Sequence, residues 1–373
     1  MGFARRGWVL WRSSTGDNPG WLYGEVQVRG DKVYLKPVAD EPEPDGEVWI
    51  TPAFVDLHCH LAIDPEKQAD LDLIRKNALT EIQAGVLAIR QPGTPIPVPL
   101  DALPYHRPIV VDSGKHIALE KRYIRGVADE VPSDNPDDTL GLLVTEVRKQ
   151  ARRGTGWVKL VGDWIDRSEG NRSDLKPLWT RGELIAAVEA AHQEGARVAV
   201  HTFSNAAIDD LLAAGVDSIE HGSGMTLQQM GQAMAAGIPV IPTTSQVLKF
   251  PEFAAAGQAK YPVYAHTMTA MYKRRHEWFQ DLLDSGVQIL PGSDAGGYQP
   301  HGSVVEEVQR WVKWGMPTSQ AFAAATWGAR DFLGLDSLSE GAPADFLIFD
   351  QDPSANAGVW SAPIGIVANG ILI

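Results

Sequence analysis

The middle of the chain repeats one hydrophobic pattern, in which a short apolar run is followed by a longer amphipathic stretch. Short apolar runs bounded by polar residues or glycine are typical of buried strands. Amphipathic stretches such as Arg181–Glu194 and Val263–Ser285 lie between the runs and predict helices. Eight runs are predicted to be strands: Ala53–His58, Val86–Arg90, Ile109–Ser113, Trp157–Val161, Arg197–His201, Ser218–His221, Pro239–Thr243 and Gln288–Ser293.

This alternation predicts an α/β fold with a closed (β/α)8 TIM barrel. Strand–helix alternation implies parallel strand pairing, and eight repeats over roughly 250 residues match the size of such a barrel. The alternative is an open, doubly wound sheet. No G-x-G-x-x-G sequence follows the first strand, and the number of repeats also favours closure.

Both ends of the chain show a shorter, alternating pattern. Trp21–Val28 and Lys32–Leu35 have the composition of strands joined by a turn at Arg29-Gly30-Asp31. The segments Ala344–Asp350 and Ile364–Leu372 are similar. We therefore predict a small β-sandwich domain that is assembled from both termini and attached to the barrel. The predicted limits are residues 1–51 with 341–373 for the small domain and residues 52–340 for the barrel.

Composition narrows the possible functions and partners. The formal net charge of the 373 residues is -14, which argues against a nucleic-acid partner because phosphate binding needs a basic surface. No apolar stretch approaches the ~18 residues of a membrane-spanning helix. The single cysteine, Cys59, cannot form an intrachain disulfide and is interpreted as a small core residue. We predict a cytoplasmic protein without a membrane partner.

Polar residues stand where the predicted strands end. His58 and His60 are two residues apart, so in a strand both imidazoles point to one face. Reactive groups of a (β/α)8 barrel lie at the carboxyl ends of its strands. The other polar residues at predicted strands or strand ends are Lys159, His201, His221 and Asp294. Each of them alone could be a hydrogen-bonded loop residue or an ion-pair partner, but six such residues at five strands favour one shared site.

The chemistry of this set is that of a metal centre. Neutral imidazole and carboxylate suit zinc and also manganese, cobalt or nickel. Four histidines and one aspartate exceed the needs of a single tetrahedral ion and would serve two ions if an anion bridged them. A buried lysine favours its amine form, which reacts with CO2 to give a carbamate with two oxygens. Lys159 is therefore a candidate for the bridging group.

The same residues resemble the motifs of the amidohydrolase superfamily over nearly the whole chain. The resemblance includes Phe54-Val55-Asp56-Leu57-His58-Cys59-His60, Val158-Lys159-Leu160, Val200-His201, Ile219-Glu220-His221-Gly222, Gly292-Ser293-Asp294-Ala295-Gly296 and the tail from Ala323 to Asp350. The chain is most similar to the branch of imidazolonepropionase-like proteins and metal-dependent Xaa-Pro or Xaa-Arg dipeptidases.

The resemblance implies a role for each matching residue. His58, His60 and Asp294 would hold one divalent ion, and His201 and His221 would hold a second. Carboxylated Lys159 would bridge the two ions, which are expected to be zinc. A hydroxide between the ions would attack the substrate, and Asp294 would carry the proton to the leaving group. The implied activity is hydrolysis of an amide, peptide or cyclic amide C–N bond.

Other activities remain as alternatives to this one. Imidazolonepropionase lacks a bridging lysine, so Lys159 disfavours that activity. Deaminases of the superfamily place a glutamate shortly after the strand-five histidine, whereas Thr202-Phe203-Ser204-Asn205 follows His201 here. A lactonase or phosphotriesterase would use the same metal core. A non-catalytic scaffold is disfavoured because all six predicted ligands are intact.

Substrate contacts are predicted on the loops that follow the strands, because loops at this end of a barrel carry function. We expect a small-molecule substrate and allow for a homo-oligomer. The predicted contact residues are Arg90, Lys115, His116, Trp164, Tyr298 and His301.

Overall fold

The computed structural model describes most of the chain. The described residues are 3–13, 16, 18–38, 47–103, 107–133, 136–154 and 156–373.

Strands and helices alternate through the middle of the chain. The strands are β1 (Ala4–Trp11), β2 (Gly20–Arg29), β3 (Lys32–Pro37), β4 (Trp49–Pro52), β5 (Phe54–Asp56), β6 (Val86–Gln91), β7 (Ile109–Asp112), β8 (His116–Leu119), β9 (Ala128–Val131), β10 (Trp157–Val161), β11 (Asp163–Ile165), β12 (Leu175–Pro177), β13 (Arg197–Thr202), β14 (Ser218–His221), β15 (Val240–Ile241), β16 (Phe346–Phe349), β17 (Gly365–Ala368) and β18 (Ile371–Leu372). The helices are α1 (Leu71–Gln83), α2 (Pro136–Ala151), α3 (Arg181–Gln193), α4 (Asn205–Ala214), α5 (Leu227–Ala236), α6 (Thr244–Val247), α7 (Phe250–Gly257), α8 (Pro262–Ser285), α9 (Val304–Lys313), α10 (Thr318–Ala323) and α11 (Ala329–Leu333). Short 3-10 turns span Leu100–Ala102, Arg167–Arg172 and Ala357–Val359, and a π turn spans Ala324–Gly328.

Local sequence signals explain where several helices begin and end. Thr180 and Glu183 form a reciprocal capping box at the start of α3, which satisfies backbone N–H groups that the helix leaves free. Gly215 ends α4 in the left-handed conformation that glycine adopts readily. In the described part of the chain, no helix combines the length and the apolar character that crossing a membrane requires.

The predicted TIM barrel is confirmed. Strands β5, β6 and β7 pair in parallel, and so do β8, β10, β13, β14 and β15. Strand β7 pairs with β6 while β8 pairs with β10, so the third barrel strand bends between its two neighbours. The ring closes where the backbone N–H of Leu57 donates to the carbonyl of Pro291 at 2.9 Å.

The prediction of a regular eighth strand at Gln288–Ser293 is wrong. Pro291 has no backbone N–H and interrupts the ladder. The segment keeps an isolated bridge between Ile289 and Val240, and the N–H of Leu290 donates to the carbonyl of Val240 at 3.0 Å. It therefore occupies the position of the eighth strand without forming a continuous ladder.

Strands from both ends of the chain form the predicted small β structure. One seven-stranded sheet has the order β18-β17-β16-β4-β1-β2-β3. The sheet folds over a shared apolar core that includes Val9, Val26, Ile50 and Phe346, in the manner of a sandwich. The N–H of Val33 donates to the carbonyl of Ala342, which joins the two terminal parts. The domain limits given above remain our proposal.

Every second side chain of the parallel strands points inward, and these side chains fill the barrel interior. The side chains of one apolar cluster occupy matching positions on successive strands, and burial of this surface stabilises the barrel. The cluster contains Val55, Leu57, Ala88, Val111, Trp157, Ala199, Ile241 and Leu290. Two residues further along β6, β10 and β13, the same face carries Arg90, Lys159 and His201. On the inward face of these strands, polar side chains therefore follow the apolar ones.

Candidate metal centre

His58, His60 and Asp294 converge at the carboxyl end of the barrel. One possible ligand atom from each residue lies within 4.8 Å of the others. The Nε2 atoms of His58 and His60 lie 3.3 Å and 3.4 Å from Oδ1 of Asp294. Both histidines follow β5, while Asp294 follows the segment in the eighth strand position, so barrel closure brings them together.

His201 and His221 lie beside this group. Their ring centroids are 4.6 Å apart, and the His221 ring is 4.9 Å from that of His58. Lys159 lies on β10 next to β13 and is 1% exposed. The structure thus brings the six predicted ligands to one end of the barrel.

Hydrogen bonds at Nδ1 orient three of the rings. Nδ1 of His58 lies 2.7 Å from Oε2 of Glu220, and Nδ1 of His60 lies 2.8 Å from the carbonyl of Gly93. Nδ1 of His221 lies 2.6 Å from Oγ1 of Thr243. A partner at Nδ1 fixes the tautomer and leaves Nε2 free to bind an ion.

The donor set fits two divalent ions. Among the described residues, Nζ of Lys159 and Nε2 of His201 are buried without a hydrogen-bond partner. A buried polar atom without a partner is costly, and in native proteins such atoms often indicate a ligand or ion. Four imidazoles, a carboxylate and one buried amine are the ligand types that the sequence predicted for a binuclear site.

Burial sets the protonation states that metal binding requires. It lowers the pKa of His60, and it lowers the pKa of His201 and His221 well below the usual range, so these rings are neutral. Burial also lowers the pKa of Lys159 to about 8, with a smaller contribution from the positive charge of Arg90. Roughly a tenth of Lys159 is therefore amine at pH 7, and only the amine can form a carbamate.

Backbone strain is concentrated at the same place. His221, Thr243 and Asp294 have φ values of 67°, 42° and 59°. Non-glycine residues rarely adopt this left-handed region, and each such residue costs about 1–3 kcal/mol. Strain of this kind clusters at active sites, where the surrounding structure holds it. In His221 it turns the side chain away from the direction that strand alternation would give.

Buried carboxylates hold the loops that carry these residues, and sequence reasoning missed their role. Asp56 accepts hydrogen bonds from the N–H groups of His58 and Ser293 and from the Ser293 hydroxyl. Asp163 accepts from the Thr202 hydroxyl and from the N–H groups of the two residues that follow. The available signal was an acidic residue inside or next to an otherwise apolar strand.

A cavity of about 290 Å³ opens directly onto the histidines. This volume is at the small end of the range for ligand sites and suits a small molecule. Trp164 and Tyr298 line the cavity, in agreement with their predicted placement. Most of the other lining residues are aromatic or aliphatic, and Arg167 and Gln246 are among the polar ones.

Arg90 does not reach this cavity, and its prediction as a substrate contact is corrected. Its side chain is fully buried, donates to the carbonyl of Leu57 and to Ser218, and pairs with Glu220 at 2.6 Å. Its guanidinium also lies 4.6 Å from the ring centre of Trp157. The side chain is part of the barrel interior because it shares the inward face of β6 with Ala88.

Lys115 and His116 also lie outside the residues that line the cavity. Lys115 pairs with Asp129 at 3.0 Å and borders a separate depression. His116 is fully buried and stacks on His60, with ring centroids 5.3 Å apart. Both predictions as direct substrate contacts are therefore corrected, because neither side chain borders the space that a substrate would occupy.

His301 lies behind the site rather than in the cavity, so its predicted substrate contact is corrected as well. Its Nδ1 lies 2.7 Å from Oε1 of Glu81, which also accepts hydrogen bonds from the Gly302 N–H and from Cys59 at 3.4 Å. The three side chains of Cys59, Glu81 and His301 form a small hydrogen-bonded cluster, in which Cys59 is buried. The cluster ties the loop after Asp294 to α1.

Comparison with known proteins identifies the family. Residues 143–371 match the model of the amidohydrolase family. An uncharacterized protein of Mycobacterium tuberculosis is 38% identical over 341 residues, which cover 91% of this chain and 89% of the relative. The chain belongs to the amidohydrolase family. As a member of this family, it is a hydrolase that acts on carbon–nitrogen bonds.

Two further similarities concern proteins with named activities. The ochratoxinase of Aspergillus niger is 27% identical over 226 residues, which cover 58% of this chain and 45% of the ochratoxinase. The crystal structure of a Xaa-Pro dipeptidase with bound methionine has a TM-score of 0.79 at 20% identity, with all of both chains covered. At that identity the structural likeness shows the fold alone.

Proposed function

We propose that this protein is a binuclear metal-dependent hydrolase that cleaves the C–N bond of a small amide. The observation that carries the proposal is the convergence of four histidines and Asp294, all lining one cavity, near a buried Lys159 amine without a hydrogen-bond partner. Interior lysines without a partner are costly, so a structural role alone does not account for Lys159.

The proposed ligand assignment follows the geometry. His58, His60 and Asp294 would hold one divalent ion, while His201 and His221 would hold the other. Lys159, as its CO2-derived carbamate, would stand between them. When bound, two ions such as zinc would supply a bridging hydroxide at neutral pH and polarise the scissile carbonyl.

Asp294 is the proposed proton carrier. Although burial alone would raise it, the pKa of Asp294 is held well below its usual value by the neighbouring histidines, His58 first among them. An ionised carboxylate is ready to take a proton and to return it to the leaving nitrogen. Asp294 lines the cavity, so it can reach a bound substrate.

The first experiment counts metals and tests turnover together. Protein reconstituted with zinc or manganese in bicarbonate is assayed against dipeptides, N-acyl amino acids, cyclic amides, lactones and one phosphotriester. We expect two ions per chain and turnover of an amide that Asp294→Asn abolishes. Asp284→Asn, an exposed change on α8, is the matched control and should retain turnover. Turnover confined to lactones or to the phosphotriester would overturn the assignment to amides.

A second experiment tests the carbamate directly. Carbon-13 bicarbonate added during reconstitution should give a carbamate resonance that is absent from Lys159→Ala. The variant should also lose the second ion, because an alanine cannot bridge. Two firmly bound ions in Lys159→Ala would contradict the bridging role. The cytoplasmic location and the homo-oligomer remain predictions.

A further inference from the structure

The residues that line the cavity indicate which kind of molecule it accepts. Its aromatic residues cluster around His201, whose ring centroid lies 5.5 Å from Trp164, 6.0 Å from Tyr123 and 4.6 Å from Phe203. On another part of the wall, Phe253 and Tyr298 contact each other at 4.8 Å. Aromatic walls favour aromatic or bulky apolar groups, because they bury large areas and offer edge and face contacts.

Arg167 brings an exposed positive charge to this largely apolar wall. It begins the 3-10 turn after β11 and lines the cavity outside the histidine cluster. Within the described part of the chain, it has no ion-pair partner. The acidic neighbours have other cations: Asp166 faces Arg122 at 3.6 Å and Lys176 at 3.7 Å, and Glu169 pairs with Lys176.

Two further polar atoms on the wall lack partners among the described residues. Nε1 of Trp164 is a buried donor, and Oε1 of Gln246 is a buried acceptor. Gln246 is 6% exposed, so water has little access to its side chain and does not readily replace the missing hydrogen-bond partner. Buried polar groups of this kind are normally satisfied, and here the cavity is where their partners would come from.

The first turn of α8 contributes part of the cavity wall. Tyr264 at the start of α8 donates its backbone N–H to the carbonyl of Ser173, and Thr267 donates its hydroxyl to Asp174. These bonds join α8 to the loop that follows the Arg167 turn, so Tyr261 and Tyr264 form part of the wall. The volume of about 290 Å³ suits a compact molecule.

From these features we infer that the substrate is an amide with an aromatic or bulky apolar group and a carboxylate, and that Arg167 binds the carboxylate. The inference rests on the proposed function for the chemistry at the histidines. Guanidinium binds carboxylate through charge-assisted hydrogen bonds, which are stronger than neutral ones. The apolar group would lie among the aromatic rings, and Gln246 would accept a hydrogen bond from the substrate.

The test compares ligands that differ only in charge. Binding of 3-phenylpropanoate and 3-phenylpropanamide to the zinc-loaded full chain is measured by calorimetry at pH 8. We expect the carboxylate to bind roughly 10- to 100-fold more tightly, the range for a hydrogen bond to a charged group. In Arg167→Gln this preference should disappear while the amide binds as before, and Arg167→Lys should keep part of it.

Arg172→Gln is the matched control, since Arg172 is an exposed arginine of the same 3-10 turn that does not line the cavity. It should keep the full preference for the carboxylate. Equal binding of both ligands to the natural chain, or an unchanged preference in Arg167→Gln, would overturn the inference. Propanoate, which lacks the ring, should bind weakly, and binding as tight as that of 3-phenylpropanoate would overturn the aromatic part.

Turnover separates this inference from the proposed function. With N-acetylphenylalanine and its carboxamide as substrates, Arg167→Gln should raise KM for the carboxylate and leave kcat nearly unchanged. Turnover of both substrates without a preference would support the hydrolase and overturn the role of Arg167. Arg167-dependent binding with no amide turnover would support the ligand class and overturn the hydrolase.

Discussion

Glu220 bridges His58 and Arg90 through its two carboxylate oxygens. Oε2 lies 2.7 Å from Nδ1 of His58, and Oε1 lies 2.6 Å from a guanidinium nitrogen of Arg90. All three side chains are buried. Burial alone would raise the pKa of Glu220, but the positive charge of Arg90 holds it well below its usual value. Glu220 therefore presents an ionised carboxylate to His58.

Removing that charge should weaken both the fold and the metal site. In Glu220→Gln, Arg90 keeps its charge without a partner, so we expect the free energy of unfolding to fall by about 3–5 kcal/mol. His58 also loses the carboxylate that orients it, which should weaken zinc binding about 10- to 100-fold. Urea unfolding and competition with a chelating dye measure the two effects.

The double variant Arg90→Met/Glu220→Gln separates the effect on stability from the effect on zinc binding. It removes the unpaired charge and should recover part of the lost stability, whereas zinc binding should stay weak because His58 still lacks its partner. Full zinc affinity in the double variant would show that Glu220 acts on the fold and not on His58.

Thr243 orients His221 in a similar way, through a neutral hydroxyl. A hydroxyl that accepts from Nδ1–H leaves the lone pair of Nε2 for an ion, at a distance of 2.6 Å between Oγ1 and Nδ1. Thr243→Val keeps the shape but removes the acceptor, so zinc affinity should fall about 10- to 100-fold. Thr243→Ser should stay close to the natural chain. Equal affinities of the valine and serine variants would contradict this role.

The metal ligands could be predicted from the sequence because a parallel barrel places strand ends at one rim. Lys159 and His201 followed from the period of two, because they share the inward face of their strands with Trp157 and Ala199. His58 and His221 followed only from their place at the ends of strands. Arg90 was also predictable in principle: it shares the inward face of its strand with Ala88, which places it inside the barrel. The error was to treat a residue at a strand end as a loop residue.

The hydrogen bonds that hold the metal ligands in place could not be predicted from the sequence. Asp56 and Ser293 meet across 237 positions of the chain, and Glu220 and His58 across 162. Such pairs depend on how the barrel closes and on the exact register of neighbouring strands, which no local pattern encodes. Pro291 did signal in the sequence that the ladder would be interrupted. It did not show that its segment would still occupy the position of the eighth strand.

Gly93 cannot carry a side chain without disturbing the site. Its φ is 104°, and an added Cβ would overlap the imidazole of His116, while its carbonyl accepts from His60. We expect Gly93→Ala to cost about 1–3 kcal/mol for overpacking in addition to backbone strain, and to lower metal content. Gly126→Ala, at φ 78° in open space, should show the backbone cost alone. Similar losses in both variants would rule out the contact with His116.

Asp163 should make stability depend on pH in an unusual direction. Burial raises its pKa to about 6, although the Thr202 hydroxyl and two backbone N–H groups favour the charged form. Because the folded value exceeds the unfolded one of about 3.9, the folded state binds the proton more tightly. Its contribution to stability is therefore complete below about pH 4 and is lost as the pH rises through 6.

Comparison with Asp163→Asn isolates this titration, because the asparagine carries no titrating proton and groups common to both chains cancel. A separation of about two pKa units corresponds to ~3 kcal/mol. The difference in unfolding free energy, natural chain minus variant, should fall by that amount between pH 4 and pH 7. A difference that stays constant would mean that the loop hydrogen bonds offset the cost of burying the charge. A difference that rises would mean that they exceed it, and Asp163 would then stabilise the loop after His201 as an ordinary ionised carboxylate.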